Sequence, residues 1–113
     1  MVDGHSEAAI GNWHKIADPG EIEDGMIFAI EIAGEEICIG RLCGRLFALE
    51  NMCSHEEFPL NDGDLLDTCE LRCRYHGARF NPFTGEALSL PALSGVKPFK
   101  IEEREDGVYL LVD

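Results

Sequence analysis

Two short stretches in the middle of this chain carry donor atoms at metal-ligand spacing. They are Cys53-Ser54-His55 and Cys73-Arg74-Tyr75-His76-Gly77. Each arm offers one thiol and one imidazole, and seventeen residues separate His55 from Cys73. A hairpin-like excursion between the arms would bring all four donors together. Two metal readings compete for them. A structural zinc ion also takes two Cys and two His, in a closed tetrahedron. Zinc fingers, however, usually set Cys with Cys on one arm and His with His on the other. Here both arms are mixed, and Cys-x-His is very tight spacing for two ligands of one ion. A sulfide-bridged pair of irons relieves that difficulty, because one arm can give its sulfur to one iron and its imidazole to the other. Replacing two thiolates by two neutral imidazoles on one iron makes that iron easier to reduce.

The donors lie in a segment that needs outside support. Residues 51–98 hold few β-branched side chains and many turn formers: Asn51, Asn61-Asp62-Gly63, Asn81-Pro82, Thr84-Gly85, Pro91, Ser94-Gly95 and Pro98. So many turns cannot build a large core. Loops on a rigid scaffold are where binding groups usually sit. The flanks supply that scaffold. Residues 26–33, 36–42 and 45–50 read as three short strands, turned at Gly34-Glu35 and at Cys43-Gly44. Residues 96–103 and 108–112 read as a second hairpin across an acidic turn ending in Asp106-Gly107. A first strand surrounds Trp13 to Ile16, before the loop at Asp18-Pro19-Gly20. No segment keeps a 3.6-residue apolar period over three turns, and no internal repeat is present. The fold class is all-β, a small antiparallel barrel or sandwich with a loop-rich binding part.

Size and charge narrow the function. The chain has 113 residues, with 45% hydrophobic and 27% charged side chains, which suits one globular domain with a modest core. Nine Lys and Arg stand against 22 Asp and Glu, a formal charge of −13. Phosphate contacts need clustered cations, so nucleic acid and anionic membranes are excluded as partners. No apolar run approaches the roughly 20 residues of a membrane span. Residues 1–9 are polar and acidic, without the basic and apolar regions of a secretory signal. The five cysteines are an odd number, which argues against a fully paired disulfide framework. Together these features predict a cytoplasmic protein with reduced thiols.

The pattern Cys53-x-His55, seventeen residues, Cys73-x-x-His76 resembles the Rieske [2Fe–2S] family. The likeness extends along the chain. Residues 44–51, Gly-Arg-Leu-Phe-Ala-Leu-Glu-Asn, look like the strand that leads into the family's first ligand loop. His76-Gly77-Ala78-Arg79-Phe80 with Thr84-Gly85 looks like its second loop and hairpin, and Pro91-Ala92 like its proline loop. The resemblance implies one Rieske domain over residues 1–113, its cluster-binding part at about 51–98. It implies that Cys53 and Cys73 hold the inner iron, and that His55 and His76 hold the outer iron through Nδ1. Imidazole edges at the tip would then give electrons a short way out.

The branch follows from what is missing. High-potential members carry an extra Cys in each ligand loop, joined as a disulfide; the corresponding positions here are Phe58 and Tyr75. They also place Ser and Tyr hydroxyls near the sulfurs, where this chain has Ala78 and Phe80, whose side chains donate nothing. The chain resembles the low-potential ferredoxins of bacterial aromatic-ring-hydroxylating dioxygenase systems. The resemblance implies a soluble one-electron carrier, a monomer of one domain, between an NAD(P)H-dependent flavin reductase and a terminal oxygenase. It would not itself be an enzyme. A mononuclear iron site needs two His and a carboxylate, and only His5 and His14 remain, both near the start. The alternative is a small Rieske subunit fixed in a nitrite-reductase-like complex. Phe58, Leu60 and Pro91 are the apolar neighbours expected around the exposed histidines. The other candidates have plainer readings. Cys38, between Ile37 and Ile39, is packing, and Cys43 is an exposed thiol in a turn. Cys69 is a spare beside four complete ligands. His14 is a strand surface residue, Trp13 is packing, and residues 102–106 form a solvated hairpin tip.

Overall fold

The computed structural model describes residues 12–52, 59–74, 77–89 and 94–112. Among the described residues, nine strands form three antiparallel three-stranded sheets. The terminal sheet pairs β1 (Asn12–Ala17) with β9 (Gly107–Val112), and β9 with β8 (Ile101–Arg104). The central sheet is the meander of β2 (Ile27–Ile32), β3 (Glu35–Leu42) and β4 (Arg45–Glu50). A small sheet joins β5 (Asp64–Leu65), β6 (Leu71–Arg72) and β7 (Arg79–Phe80). No helix among the described residues is long and apolar enough to cross a membrane.

The central sheet is buried on both faces, which explains its unbroken apolar run. Successive side chains of a strand point to opposite faces. Ile37 and Ile39 of β3, with Ala48 of β4, pack against Val108, Leu110 and Val112 of the terminal sheet. Cys38 and Leu42, with Phe47 and Leu49, pack the other way, against Leu60, Leu71, Cys73, Ala78, Phe80 and Val96. A strand covered on one side only would alternate apolar and polar residues; β3 has no polar face to show in its middle. Gly40 marks the tightest point. A Cβ there would run into the Met26 carbonyl and lie 2.6 Å from the Phe47 ring.

Both turns of the meander take left-handed backbone at two successive residues, as two-residue hairpin turns of the primed type require. Cys43 and Gly44 do so at φ 52° and 79°. The other turn is Ala33-Gly34, at φ 54° and 80°, one residue before the expected Gly34-Glu35. The second hairpin is also shorter than expected. Its first strand begins at Ile101, not at residue 96. Residues 96–100 instead run along β4, where Glu50 donates to Lys97 O and Phe99 donates to Ala48 O. Pro98 bridges Leu49 in the middle of that stretch but has no N–H to extend a ladder.

Two further ties were not legible as such. Cys43 and Cys69 are joined by a disulfide, with Cα atoms 5.9 Å apart. The expected inert thiol at Cys43 and spare thiol at Cys69 are therefore corrected: the bond fastens the β3–β4 turn to the β5–β6 hairpin. Closing a loop of 26 residues is worth about 3–4 kcal/mol by the chain-entropy estimate. The acidic tip is likewise more than solvated charge. Arg41 donates through NH2 to Glu103 Oε1 at 2.7 Å and through Nε to Ile22 O at 2.8 Å. The Gly20 N–H donates to Glu103 Oε2 at 3.1 Å. The terminal and central sheets are thus linked by charge as well as by packing.

That link has a pH signature. The Arg41 hydrogen bond, then the Gly20 N–H, hold the Glu103 carboxyl below its ordinary value. Its stabilisation is fully present above the unfolded glutamate value of about 4.3 and is lost as pH falls through the lower folded value. Stability measured by urea unfolding between pH 6 and pH 3 should fall less steeply in Glu103→Gln than in wild type. Identical pH slopes would show that the pair does not couple folding to protonation.

Candidate metal centre

The frame closes the base of each ligand-bearing loop. The first arm leaves the end of β4. There Asn51, 5% exposed, donates from Nδ2 to Asn61 Oδ1 and accepts from the Asn61 N–H through Oδ1, both at 2.9 Å. Asn51 N–H also donates to Glu36 O at 3.0 Å. Asn61 belongs to a 3-10 turn over Leu60–Asp62. This reciprocal amide pair therefore clamps both ends of the segment that holds Cys53 and His55. Cys53, His55 and Phe58 themselves lie outside the described residues.

The second arm turns between β6 and β7. Cys73 N–H donates to Ala78 O at 2.7 Å, and Gly77 N–H donates back to Cys73 O at 3.0 Å. Gly77 sits at φ 75° with nothing within 4 Å of where a Cβ would stand, so its backbone angle calls for glycine, not crowding. His76 and Tyr75 lie outside the described residues. A third closure joins described residues on either side of the Pro91 stretch in sequence; that stretch also lies outside them. Val96 N–H donates to Gly85 O at 2.8 Å, and Gly85 N–H to Asn81 O at 2.7 Å. At φ 80°, a Cβ on Gly85 would overlap the Val96 carbonyl. The three bases meet in one apolar cluster. Leu49, Leu60, Cys73, Ala78, Phe80 and Val96 are all within it.

Cys73 is the one described member of the four-donor set. It is fully buried and outside any disulfide. Such a sulfur fits a resident iron–sulfur group, because a thiolate shielded from water by Phe80 and Leu71 needs a compensating cation. Cys38 is the other buried free cysteine among the described residues, and burial pushes its thiol up to about 12. That fits the packing role expected for it. Leu60, expected at the surface near the histidines, is corrected: it is fully buried. The exposed apolar residues flanking the arms are Met52, at 42%, and Leu88, at 39%. Sequence reasoning passed over both of these, and it took Asn51 for a turn former only. His14 is half-buried in β1, not on the surface, and its Nε2 has no hydrogen-bond partner in the structure. His5 lies outside the described residues.

Ala78 and Phe80 are both fully buried in the same cluster as Cys73, and neither of these two described neighbours carries a hydroxyl. A Phe80→Tyr substitution should raise the reduction potential by roughly 40–90 mV, the worth of one hydrogen bond of about 1–2 kcal/mol at 59 mV per factor of ten. Voltammetry reads it directly; an unchanged potential with the fold intact would show that the hydroxyl does not reach a cluster sulfur. Asn51→Ala leaves the Asn61 N–H unpaired in a part-buried position. It should cost about 1–3 kcal/mol of unfolding free energy.

Known proteins resemble this arrangement closely. The family model described as the Rieske [2Fe-2S] domain matches residues 12–100. The ferredoxin component of the naphthalene 1,2-dioxygenase/salicylate 5-hydroxylase systems of a Ralstonia species is 33% identical over 93 residues. That match covers 80% of this chain and 88% of that protein. The ferredoxin of carbazole 1,9a-dioxygenase from Nocardioides aromaticivorans superposes with a TM-score of 0.82 at 24% identity, over 89% of this chain and 98% of that one. A ferredoxin solved in complex with the oxygenase of carbazole 1,9a-dioxygenase gives 0.79 at 28% identity, over 88% and 92%. With its frame, its mixed Cys/His arms and a match across most of its length, this chain belongs to the Rieske [2Fe–2S] family.

Proposed function

We propose that this chain is a Rieske ferredoxin, a one-electron carrier that takes electrons from an NAD(P)H-dependent flavin reductase and delivers them to a terminal aromatic-ring-hydroxylating oxygenase. The observation that carries the reading is the pair of mixed arms, Cys53-x-His55 and Cys73-x-x-His76, set on loops whose bases are closed by hydrogen bonds and share one apolar cluster. Cys53 and Cys73 would hold the inner iron of one [2Fe–2S] cluster, and His55 and His76 the outer iron. When bound, the cluster supplies reversible one-electron chemistry at a potential set by its ligands and their hydrogen bonds.

The rest of the assignment concerns this chain's own residues. The whole of residues 1–113 serves as one Rieske domain, its cluster-binding part at about 51–98. The chain is the electron-transfer component and not the catalyst. Ligand identity of the oxygenated compound therefore belongs to the oxygenase. It works in the cytoplasm as a monomer. The alternative, a fixed small subunit of a nitrite-reductase-like complex, predicts a large apolar face; the exposed large apolar residues among those described are Met26, Met52 and Leu88. Met52 and Leu88 would flank the contact region with the partners. A charge of −13 would steer the carrier toward basic partner surfaces.

Purified anaerobically from iron-replete cells, the protein should be red-brown and carry about two irons and two acid-labile sulfides per chain. Its potential should lie near the low end of the Rieske range, about −150 mV. A colourless protein loaded with zinc would overturn the assignment. Cys73→Ser and His76→Ala should each lose the cluster. The rate of reduction by the reductase should fall steeply as ionic strength passes about 0.1 M, where charges more than about 10 Å apart are screened. Glu56→Gln with Glu57→Gln, beside His55, should slow it more than Glu102→Gln with Glu105→Gln on the terminal sheet. A rate flat in salt, and equal in both double variants, would leave the acidity with a role in solubility alone.

A further inference from the structure

Electron carriage by the four ligands leaves three cysteines unaccounted for. Cys38 is buried, and its raised thiol keeps it protonated and inert. Cys43 and Cys69 are different. They form the disulfide, Cys43 is exposed, and Cys69 is half-buried. Exposure of Cys43 puts this end of the bond at the protein surface. Each residue stands on a turn, in left-handed backbone at φ 52° and 65°, so neither is held by a strand ladder at that point.

The position of the bond gives it a task. One end is the β3–β4 turn of the central sheet. That turn is itself anchored, because Gly44 N–H donates to Asp24 Oδ1 at 2.7 Å. The other end is the loop of the β5–β6 hairpin, where Leu66 N–H donates to Glu70 O and Cys69 N–H to Leu66 O. The bonded loop, residues 43–69, encloses Cys53 and His55, and it ends four residues before Cys73. The bond is thus a clasp between the scaffold and the hairpin that leads into the second arm. In the cytoplasm of mesophiles, protein disulfides are mostly transient and redox-sensing. Exposed ones are also the labile class.

We propose that Cys43–Cys69 is a reversible thiol–disulfide exchange site whose reactant is a dithiol, and that its oxidation state sets how firmly the ligand-bearing loops are held. The second half rests on the ligand reading given above. In the reducing direction, one thiolate of the dithiol attacks Cys43 Sγ. The Cys43–Cys69 bond breaks, and Cys69 leaves as a thiolate that takes a proton from water. The second thiol of the reagent, as its thiolate, then displaces Cys43 from the mixed disulfide, and Cys43 takes up a proton. The protein gains two electrons and two protons, and the dithiol loses the same as it closes to a disulfide. Glutathione disulfide drives the reverse reaction. Reduction opens the 43–69 loop, and the hairpin then keeps only its packing and hydrogen bonds.

The holoprotein is purified without reductant and split between glutathione disulfide and dithiothreitol. Both samples are acid-quenched, denatured, alkylated and mapped by peptide mass. Cys43 and Cys69 should be unmodified in the first sample and both alkylated in the second. In parallel, a ferrous-iron chelator is added, and loss of the visible absorbance is timed. Release should be about tenfold faster or more after dithiothreitol. The Cys43→Ser/Cys69→Ser variant should release at the fast rate in both conditions, which separates opening of the clasp from chelation by the reagent. Alkylation of both residues after glutathione disulfide, or of neither after dithiothreitol, would overturn the exchange site. Equal release rates in all samples would overturn its coupling to the loops. A protein without iron that still shows the alkylation change would sink the ligand reading and uphold the exchange.

Discussion

Burial of both faces of the β2–β3–β4 sheet is the constraint from which the rest of the molecule follows. A sheet with apolar side chains on its faces must bury them against another layer. Here Ile37 and Ile39 are covered by the terminal sheet, and Cys38, Phe47 and Leu49 by the hairpin layer. The second of these contacts also builds the site. The side chains that finish the core on that face are Leu60, Leu71, Cys73, Ala78, Phe80 and Val96, which stand at the feet of the ligand-bearing segments. Core and site are one packing problem, so a loosened core on this face loosens the donors.

Position of the donors is then a matter of closure at the base. The two ligand-bearing segments rise from residues tied to each other, Asn51 to Asn61 and Cys73 to Ala78, and Gly85 is tied to Val96 in the same way. Backbone groups and buried amides do this work, with few charges. Charged contacts sit elsewhere. Arg79 pairs with Glu70 at 2.8 Å along the hairpin, and Arg41 pairs with Glu103 between sheets. Among the described residues, the closures at the base of the site are thus made by uncharged groups.

Much of this was legible in the residues, and the omissions have physical causes. The meander and the two arms could be read because tight turns and metal ligands have local signatures. The double burial was not read, although the unbroken Ile37-Cys38-Ile39 run is consistent with it. Pro98 misled, because an apolar stretch reads as strand until the missing N–H is counted. The Cys43–Cys69 bond joins residues 26 apart, and pairing at such range is set by the tertiary fold, which no local pattern reveals. Asn51 and Glu103 were missed for the same reason: a buried amide and a paired acid look in sequence like any turn former and any surface charge. The ligand set was recognised through its family pattern as much as through its chemistry.

The terminal sheet carries a feature of another kind. The chain has one tryptophan. Trp13 lies on β1, and the Arg104 guanidinium stands 4.8 Å from its ring centre and 4.3 Å from that of Tyr109. Arg104 thus stacks between strands β1, β8 and β9 as a cation over two aromatic faces. The indole reports on a layer separated from the ligand-bearing hairpin by the whole thickness of the central sheet. Its emission therefore follows the melting of the layer that joins the two ends of the described chain, while visible absorbance follows the opposite layer. One molecule offers two optical clocks, one for each side of its middle sheet.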